Sequence, residues 1–440
     1  MRSVSMIRSC VFSSFTASGL RFRQLAIHTG EVLDSHVIRI GGKTYERDHV
    51  TNVSPAVIDK VERQLHRQSG HPVNIIKSRI ENYVQSMFRT RGGLSPLFTA
   101  IDNLGPVVTV EQNFDSLLVP KDHVSRSRND NYYVNSKMML RAHTSAHQRD
   151  IIRSGLNAFL LSGDVYRRDE IDSTHYPVFH QMEGVRLFTK DELVALSTDC
   201  VSNFEMSECG SQEMDVKQAE HTLEASKLVE VNLKETLLGI VKALFGDVQH
   251  RWVATTFPFT HPSLELEIWF NNDWLEVVGC GVMRQGILLD GGVTDRIGWA
   301  FGIGLDRLAM ALFGIPDVRL LWSSDPRFVF QFRDAADGSD VVVQFKPYSK
   351  YPACYKDVTF WIPSDYSEND FYELVRDLCG DLVEEVKQID VFHHPNTHRT
   401  SHCYRINYRS MDRTLTNDEI NQLQEKLRQE VQRILRVELR

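Results

Sequence analysis

The sequence predicts an α+β protein, with a mostly antiparallel sheet in a large first unit and a smaller α/β unit behind it. Helical apolar periodicity recurs along the chain, most clearly in residues 74–88. Strand-like runs are joined by short polar turns, as in 263–282, and such hairpins favour an antiparallel sheet over a doubly wound parallel one. A chain of 440 residues, 42% of them hydrophobic, is long enough for two or three domains.

Local signals place the elements of the first unit. Pro106 and Pro120 bound an alternating run, which indicates strand and turn. The Asn-Asn-Asp stretch at 271–273 favours the turn of a hairpin, and Gly314 closes a helix. The predicted elements are helical structure over 55–89, strand and turn in 106–120, an amphipathic helix over 145–162, strand, loop and strand over 163–184, a long helix over 215–245, paired strands at 263–270 and 274–282, and a strand running into a helix over 298–314.

A second unit follows the polar stretch 333–340. Its elements run strand, helix, strand, strand, helix and a short end, and this rhythm is typical of a ferredoxin-like sandwich. The predicted bounds are a strand at 357–362, a helix at 368–386, strands at 387–392 and 403–409, and a helix at 416–435.

The first thirty residues differ from the rest of the chain. They contain Arg2, Arg8, Arg21 and Arg23 among many serines, with no acidic residue before Glu31. A cationic, serine-rich and acid-poor segment is typical of a mitochondrial presequence. A disordered tail is the alternative interpretation.

Charge and cysteine usage exclude several classes of protein. A formal net charge of −8 means that any contact with nucleic acid must come from local basic patches. Because there is no apolar run of 18 residues, we expect no membrane span. The seven cysteines are scattered and form no C-x-x-C pair, so we expect neither a structural zinc site nor a disulfide framework, and an intracellular protein with reduced thiols.

The stretch GDVYRRDEIDSTHYPVFHQMEG, residues 163–184, carries the clearest nucleotide-site signal. The planar fork of Arg167 can clamp a phosphate, and Phe179 offers a face on which a purine can stack. His175 lies in the loop between them as a further phosphate donor. The alternative is a surface hairpin whose Arg–Asp pairs contribute little.

Two further stretches suit the polar head of an amino acid. Gln181 and Glu183 are two apart on a predicted strand, so both face one side, where a ligand ammonium would satisfy them. The helix start at 140–148 offers backbone N–H groups and hydroxyls to a carboxylate or phosphate. An exposed polar face and plain capping by Thr144 or Ser145 are the respective alternatives.

Three more features lie in the second half of the first unit. Phe257 and Phe259 can form one wall against an aromatic ligand, although ordinary core packing explains them equally well. Glu276 stands in an apolar strand and needs a cation, a hydroxyl or water. GIGLDR at 302–307 is not a dinucleotide fingerprint, because Arg307 replaces the third glycine; it predicts an anion site at a helix start.

Together these stretches resemble the class II aminoacyl-tRNA synthetases. YRRDEIDSTHYPVF resembles their motif 2, GWAFGIGLDRLAM their motif 3, and NLGPVVTVEQNFDSLLVP their motif 1 region. HTSAHQ, FHQMEG, FPFTHPS and WLEVVGCG narrow the resemblance to phenylalanyl-tRNA synthetases. PYSKYPACYKDVTFW and TSHCYRINYR resemble the anticodon-binding domain fused to the single-chain mitochondrial form, so the resemblance extends from about residue 35 to the end.

The resemblance implies a class II antiparallel sheet flanked by helices, followed by a ferredoxin-like anticodon-binding domain. It implies ATP-dependent ligation of L-phenylalanine to tRNA(Phe) through a phenylalanyl-adenylate, by a monomer in the mitochondrial matrix. Mg²⁺ would accompany ATP, bound mainly through its phosphates, and we expect no metal-ligand motif in the chain. The implied divisions are a presequence at 1–30, a catalytic domain at 31–335, a linker at 336–347 and the anticodon-binding domain at 348–440.

The resemblance also assigns roles to individual residues. Arg167, His175 and Arg307 would be catalytic, holding the phosphates of ATP, while Phe179 would stack on adenine. Asp169 departs from the glutamate common in motif 2, and His123-Val124 from the family's His-Pro, without removing an atom that the mechanism needs. The substrate-binding positions implied are His143, Ser145, Ala146, His147, Gln148, Arg167, Thr174, His175, Tyr176, Phe179, Gln181, Met182, Glu183, Phe257, Phe259, Glu276, Ala300, Phe301 and Gly302, with the phenyl ring between Phe257, Phe259 and Phe301 and the pocket depth set by Ala300 and Gly302.

Contact with RNA needs a basic surface, and residues 398–413 supply one. Tyrosines are interleaved with its arginines, which suits phosphates and single-stranded bases, although a solvated sheet face is the alternative. Arg168 and Glu170 are expected to be solvated bystanders. A synthetase for another amino acid, or a synthetase-like RNA-binding protein without catalysis, remain the rival functions. The predicted RNA-binding residues are Arg399, Arg405, Arg409 and Arg413.

Overall fold

The structure is a computed structural model, and it describes residues 36–61, 63–90, 92–200, 217–336, 343–347, 351–411 and 413–440. The predicted presequence and part of the predicted linker lie outside these described residues. Among them, no helix is both long enough and apolar enough to cross a membrane.

The elements up to residue 200 alternate short strands with helices. Pro55 and Pro72 each occupy the first position of a helix, where a missing N–H group costs nothing. The bounds are β1 Val37–Ile40, β2 Lys43–Glu46, α1 Pro55–Val61, α2 Pro72–Met87, β3 Thr99–Ile101, β4 Val107–Thr109, α3 Val110–Asn113, β5 Met138–Leu140, α4 Gln148–Arg153, β6 Ala158–Tyr166, β7 Val178–Phe188 and α5 Lys190–Cys200.

Two predictions for the second half of the first unit are confirmed. The hairpin turns at Asn271 and Asn272, whose φ angles of 51° and 66° are those that a two-residue hairpin turn requires. The strand-to-helix prediction also holds, and Gly314, with a φ of 66°, ends the helix. The bounds are α6 Leu223–Phe245, β8 His250–Thr255, β9 Thr260–Phe270, β10 Asp273–Met283, α7 Gln285–Asp290, β11 Ile297–Gly304, α8 Leu305–Phe313, α9 Pro326–Phe330 and α10 Arg333–Ala336.

These strands form one sheet, which has seven strands in the described residues, in the order β3-β6-β7-β11-β10-β9-β8. Every neighbouring pair is antiparallel except β3 and β6, so the mostly antiparallel prediction is confirmed. Helices α2, α6 and α8 pack on one face around the larger hydrophobic cluster. The other face carries a smaller cluster beneath α4 and α7 and holds the candidate site.

The predicted helix at 145–162 is wrong beyond Arg153. Gly155 adopts a φ of 95°, which ends the helix, and β6 begins at Ala158. The strand lies between both hydrophobic clusters, with Leu160 in one and Leu161 in the other. A strand buried on both faces is continuously apolar and shows no alternation, so its pattern resembled a helix.

The predicted strand and turn at 106–120 need a similar correction. Only Val107–Thr109 is a strand, and a short helix follows it. Thr109 and Gln112 form a reciprocal capping box, in which each side chain accepts a backbone N–H of the other residue.

The second unit has the predicted β-α-β-β-α-β order of a ferredoxin-like fold. Its antiparallel sheet runs β13-β14-β12-β15. The predicted helix over 368–386 is wrong after Cys379, because Gly380, with a φ of 55°, stops it and a strand follows. The bounds are β12 Cys354–Trp361, α11 Glu368–Cys379, β13 Val383–His393, β14 Thr400–Tyr408, α12 Asn417–Leu435 and β15 Glu438–Leu439.

Arg168 is not the solvated bystander that the sequence predicted. The residue is only 7% exposed, and its guanidinium donates to Asp370 of α11 at 3.0 Å. From the same helix, Arg376 donates to the backbone carbonyls of Asp169 and Glu170. The contact joins residues some two hundred positions apart, and no local pattern in the sequence reveals it.

Ile171 extends the same contact. It is 7% exposed and belongs to the hydrophobic cluster of the second unit, and its carbonyl accepts from the Val386 N–H at 2.9 Å. The segment after β6 is therefore shaped by the ferredoxin-like unit as well as by its own hairpin.

A buried arginine ties the central strands to the loops around them. Arg141 is 1% exposed and pairs with Asp164 of β6 at 2.5 Å. It also donates to the carbonyl of Leu104 at 3.1 Å and approaches His147 Nε2 at 3.0 Å. Gly163 lies directly against it: a Cβ there would stand 2.3 Å from Arg141 Nη2.

This close approach predicts that Gly163→Ala destabilises the protein. Because hydrogen bonds fix the guanidinium on several sides, the methyl group would displace it and break a buried pair, at a cost of about 3 kcal/mol in the free energy of unfolding. Chemical denaturation measures the change. Gly105→Ala is the matched control, since nothing lies within 4 Å of its Cβ position; equal stability of the two variants would contradict the constraint.

Candidate active site

Several of the candidate substrate-binding residues lie on one face of the seven-stranded sheet, which we call the site face. Glu183 of β7 pairs with Gly302 of β11, and Gly302 pairs with Gly279 of β10. Because directly opposed residues of antiparallel strands point the same way, these three positions form one row across the sheet. Its two glycines leave bare backbone beside the Glu183 carboxylate.

Glu183 is a deeply buried ionisable group of the site face. It is 2% exposed, and Gln148 Nε2 donates to its Oε1. Burial raises the pKa of Glu183 to about 7, although Ser145 and Gln148 nearby favour the charged form. No described group completes a hydrogen bond to Glu183 Oε2 or Gln148 Oε1. Two adjacent buried acceptors without donors fit a ligand that brings several N–H groups.

The segment 143–148 forms the rim above Glu183. A 3₁₀ turn at Thr144–His147 runs directly into α4, and the Thr144 N–H donates to Gln181 Oε1 at 3.4 Å. Burial lowers the pKa of His143 to about 3, which keeps this imidazole neutral. The Ala146 side chain is buried in the smaller hydrophobic cluster below. The structure thus brings together the predicted contacts to the amino acid's polar head.

Phe257 and Phe259 form a wall at the side of the glycine row. Their rings are parallel within 3°, with centroids 5.8 Å apart. Phe257 lies over Gly279, where a Cβ would come within 3.0 Å of its ring, while nothing lies within 4 Å of a Cβ at Gly302. Open space therefore lies above Gly302, beside buried Ala300 and next to this aromatic wall, and we call this space the slot.

Two predicted contacts point away from this slot. Phe301 pairs with Gly184 and stacks on Trp299 at 5.7 Å in the larger cluster, on the opposite face. Met182 is fully buried in that same cluster. The prediction that the Phe301 side chain lines the phenyl pocket is wrong, because neighbours of Ala300, Gly302 and Glu183 along a strand must face the other side. That Phe301 and Met182 are substrate-binding positions stays a prediction.

The phosphate-binding candidates lie at one end of the sheet. Arg167 donates from Nε to the Ala142 carbonyl at 2.9 Å, and its guanidinium lies 5.3 Å from the centre of the Phe179 ring. The two side chains are thus neighbours at this end of the sheet, and their roles toward phosphate and adenine stay predictions. Arg307, one turn into α8, pairs with Glu276 at 3.5 Å, and both are about half exposed.

The loop at 172–176 holds the remaining nucleotide candidates. His175 is half-buried and Thr174 is exposed, and both bond to Asp172. The Tyr176 side chain instead stacks on Trp322 at 5.4 Å and donates to Asp381, and substrate binding at this position stays a prediction. Glu170, Asp172 and His175 offer ligand atoms within 4.8 Å of one another. Their mutual bonds account for this proximity, and we assign no metal ion to them.

All four predicted RNA-binding arginines are engaged in ion pairs. The partners are acidic residues of the same unit, and three of the pairs span 2.7–3.1 Å. Such exposed pairs are weak and can exchange for phosphates. The pairs are Arg399–Glu438, Arg405–Asp357, Arg409–Glu384 and Arg413–Glu419.

Sequence reasoning missed three residues whose contacts in the structure bear on the candidate sites. Arg141 supports His147, and Asp172 binds His175; an Asp three residues before a His, within a polar loop, was a readable signal of the second pair. Arg440 lies over the rings of Phe392, at 4.1 Å, and Trp361, at 5.4 Å. Only the folded sheet brings that cation and its rings together.

Comparisons with known proteins match both units. Residues 58–198 and 210–332 match the family model of the tRNA synthetases class II core domain (F), and residues 349–440 match the ferredoxin-fold anticodon binding domain. The chain is 54% identical to the mitochondrial phenylalanine–tRNA ligase of Mus musculus, over 91% of this chain and 88% of that protein. It is 41% identical to the one of Saccharomyces cerevisiae, over 92% and 95% respectively.

A chloroplastic/mitochondrial phenylalanine–tRNA ligase of Arabidopsis thaliana is 48% identical, over 97% of this chain and 93% of that protein. Such identity over nearly the whole of each chain, with a class II core and an anticodon-binding fold in the same order, leaves one conclusion: the chain belongs to the mitochondrial phenylalanine–tRNA ligases, a family of class II aminoacyl-tRNA synthetases.

Proposed function

We propose that this chain activates L-phenylalanine with ATP and transfers it to tRNA(Phe) in the mitochondrial matrix, acting as a monomer. The observation that carries the proposal is the pairing of two unsatisfied buried acceptors, Glu183 Oε2 and Gln148 Oε1, with an apolar slot above bare glycine backbone. Phenylalanine carries an ammonium group and a flat phenyl ring at the two ends of a short carbon chain, and so matches both features. The names of the relatives and the presequence-like composition of residues 1–30 support the location.

The amino acid's polar head would lie over β7. Glu183 and Gln148 would accept from its ammonium, with Gln181 beside them, while His143 and Ser145 line the rim. The phenyl ring would enter the slot against Phe257 and Phe259, over Gly302. A tyrosine hydroxyl would find an apolar wall there, and an unpaired buried hydroxyl weakens binding.

The positive groups at the end of the sheet would hold ATP. A carboxylate oxygen of phenylalanine attacks the α-phosphorus, the bond to the bridging oxygen breaks, and pyrophosphate leaves. Arg167 would stabilise the charge that develops on the α-phosphate, and His175 and Arg307 would hold the outer phosphates. Phe179 would stack on the adenine. In the second step the tRNA 2′-hydroxyl attacks the adenylate carbonyl and AMP leaves.

Magnesium would accompany ATP. Mg²⁺ prefers carboxylate, phosphate and water oxygens, and it would neutralise phosphate charge. Glu276 fits this preference, because its carboxylate is about half exposed and its ion pair with Arg307 is long, at 3.5 Å. It would hold the ion on the side where Arg307 meets the phosphates.

The outer face of the ferredoxin-like sheet would meet the tRNA. Arg440 and Arg399 lie over Trp361, and Arg440 also lies over Phe392. Cations beside flat rings are the pairing that recognises phosphates and unstacked bases. Arg405, over Tyr355 at 4.4 Å, repeats the arrangement further along the sheet.

Arg167→Ala should lower phenylalanine-dependent ATP–pyrophosphate exchange by about a thousandfold in kcat, because a donor aimed at developing charge is lost. Testing each amino acid in turn with the unaltered chain comes first, and failure of phenylalanine to stimulate exchange would sink the proposed function. Arg399→Ala is the control and should keep full exchange. Undiminished exchange in Arg167→Ala would remove the assigned role alone.

Binding of phenylalanine should depend on pH through Glu183. Because its pKa is raised to about 7, the carboxyl becomes protonated as pH falls, and the neutral form cannot pair with an ammonium. KM for phenylalanine should rise about tenfold from pH 8 to pH 6, measured by exchange. Glu183→Gln should flatten this dependence, and inhibition by 3-phenylpropionate, which lacks the ammonium, should not weaken at low pH. A flat profile in the unaltered chain would contradict the assignment.

Replacing Arg440 by Ala should raise KM for tRNA(Phe) in aminoacylation by about tenfold, since a cation over two rings is lost. Pyrophosphate exchange, which needs no tRNA, should not change. Arg433→Ala is the matched control: it removes an exposed arginine from α12, which pairs with Glu430. An equal loss in both variants would show a general charge effect and no binding surface.

A further inference from the structure

Asp172 organises the loop that carries His175. Its Oδ1 accepts from the backbone N–H groups of Thr174, at 2.6 Å, and His175, at 2.7 Å, and from the Thr174 hydroxyl at 2.9 Å. Its Oδ2 accepts from His175 Nδ1 at 2.7 Å. One carboxylate thus fixes both the turn of the backbone and the orientation of the imidazole ring.

The rest of this loop is held independently of Asp172. The Ile171 side chain is buried in the second unit, and the Ser173 carbonyl accepts from the Val318 N–H at 2.8 Å. Tyr176 stacks on Trp322 on the other side of His175. With the backbone anchored on both sides, the carboxylate of Asp172 has its main consequence at the His175 ring.

The bond to Asp172 determines what the His175 ring offers a ligand. A neutral imidazole that donates from Nδ1 has only a lone pair at Nε2, which repels a phosphate; the protonated ring presents Nε2–H, a charged donor. The hydrogen bond to Asp172 raises the pKa of His175, with Asp169 and Glu170 adding to it, which favours the protonated ring. Although partial burial opposes it, the bonds from His175 and Thr174 hold the pKa of Asp172 well below its usual range.

The acidic groups around the His175 ring differ in how they act on it: one forms a direct hydrogen bond, and the others act only through their charge. Asp172 contacts Nδ1 directly, whereas Glu170 Oε1 stands 3.6 Å from the same nitrogen and about half of its side chain is exposed. Asp169 acts at longer range, and the neutral Thr174 hydroxyl lies 3.3 Å away. Direct hydrogen bonding and general electrostatic influence can therefore be separated by experiment.

We propose that Asp172 is a positioning residue for adenylate formation: by binding Nδ1 it directs Nε2–H of a protonated His175 to the outer phosphates of ATP. This role rests on the proposed function, in which His175 holds those phosphates. Asp172 itself touches no substrate and acts through the ring.

The test is Asp172→Asn in the full chain, with ATP–pyrophosphate exchange measured at saturating phenylalanine. Asparagine keeps an oxygen that accepts from the backbone N–H groups, but it removes the negative charge beside His175 Nδ1. KM for ATP should rise about tenfold at pH 8 and much less at pH 6, where the ring is protonated without help. KM for phenylalanine should stay the same. In a His175→Ala background, Asp172→Asn should have no further effect.

Glu170→Gln is the matched control, because it removes a carboxylate near the same nitrogen without breaking a hydrogen bond to the ring. It should shift KM for ATP by less than half as much. An equal shift of KM for ATP in the two variants would overturn the proposal and indicate a general electrostatic effect of nearby carboxylates. The proposal would also be overturned if Asp172→Asn left KM for ATP unchanged while His175→Ala raised it. The same holds if Asp172→Asn raised KM for ATP by the same factor in the His175→Ala background. Loss of phenylalanine-stimulated exchange in the unaltered chain would instead overturn the function itself.

Discussion

The buried guanidinium of Arg141 is the constraint on which the site depends. A charge removed from water is tolerated only when paired and fully hydrogen-bonded, so the groups around it have little freedom to move. These groups include Asp164 of β6, the carbonyl of Leu104, and the His147 ring. Asp164 in turn accepts a hydrogen bond from the Tyr166 hydroxyl. The guanidinium of Arg141 therefore holds β6, the loop at Leu104 and the turn above Glu183 together, and these bonds determine where the rim lies over the sheet.

The two halves of the site have opposite electrostatic character. Around Glu183, burial drives ionisable groups toward their neutral forms, as the lowered pKa of His143 and the raised pKa of Glu183 show. A ligand that brings its own charge restores the ionised carboxylate. At the sheet end, Arg167 and Arg307 are cations before any ligand arrives. In the proposed function, the amino acid would therefore complete a charge balance on binding, whereas the nucleotide would enter an electrostatic field that already exists.

Much of the fold follows from local patterns, and most of the departures from prediction come from contacts across the chain. Asn271 and Asn272 revealed their hairpin because their residue type tolerates positive φ. The start of β6 was hidden, since burial on both faces erases the alternation that marks a strand. The burial of Arg168 depended on a helix some two hundred residues later, beyond any local pattern.

The site shows the same division. Glu183 was singled out from residue type, because a carboxylate is rare in an apolar strand, and Phe257 and Phe259 were singled out from their spacing of two. Phe301 was misplaced although the information was present: a residue between two that face the pocket cannot face it as well. Motif resemblance identifies positions, but it does not say which way a side chain points.

The docking of Arg168 and Ile171 on the last unit has a consequence for biosynthesis. The chain is made from its N-terminus, so these two residues leave the ribosome long before Asp370 and the apolar residues that cover Ile171 exist. Until then, Arg168 and Ile171 stay exposed to water, and the loop at 172–176 lacks the support that the second unit provides. The loop can therefore reach its final conformation only after the second unit has been translated. A chain truncated before that unit lacks this conformation even when the seven-stranded sheet has folded.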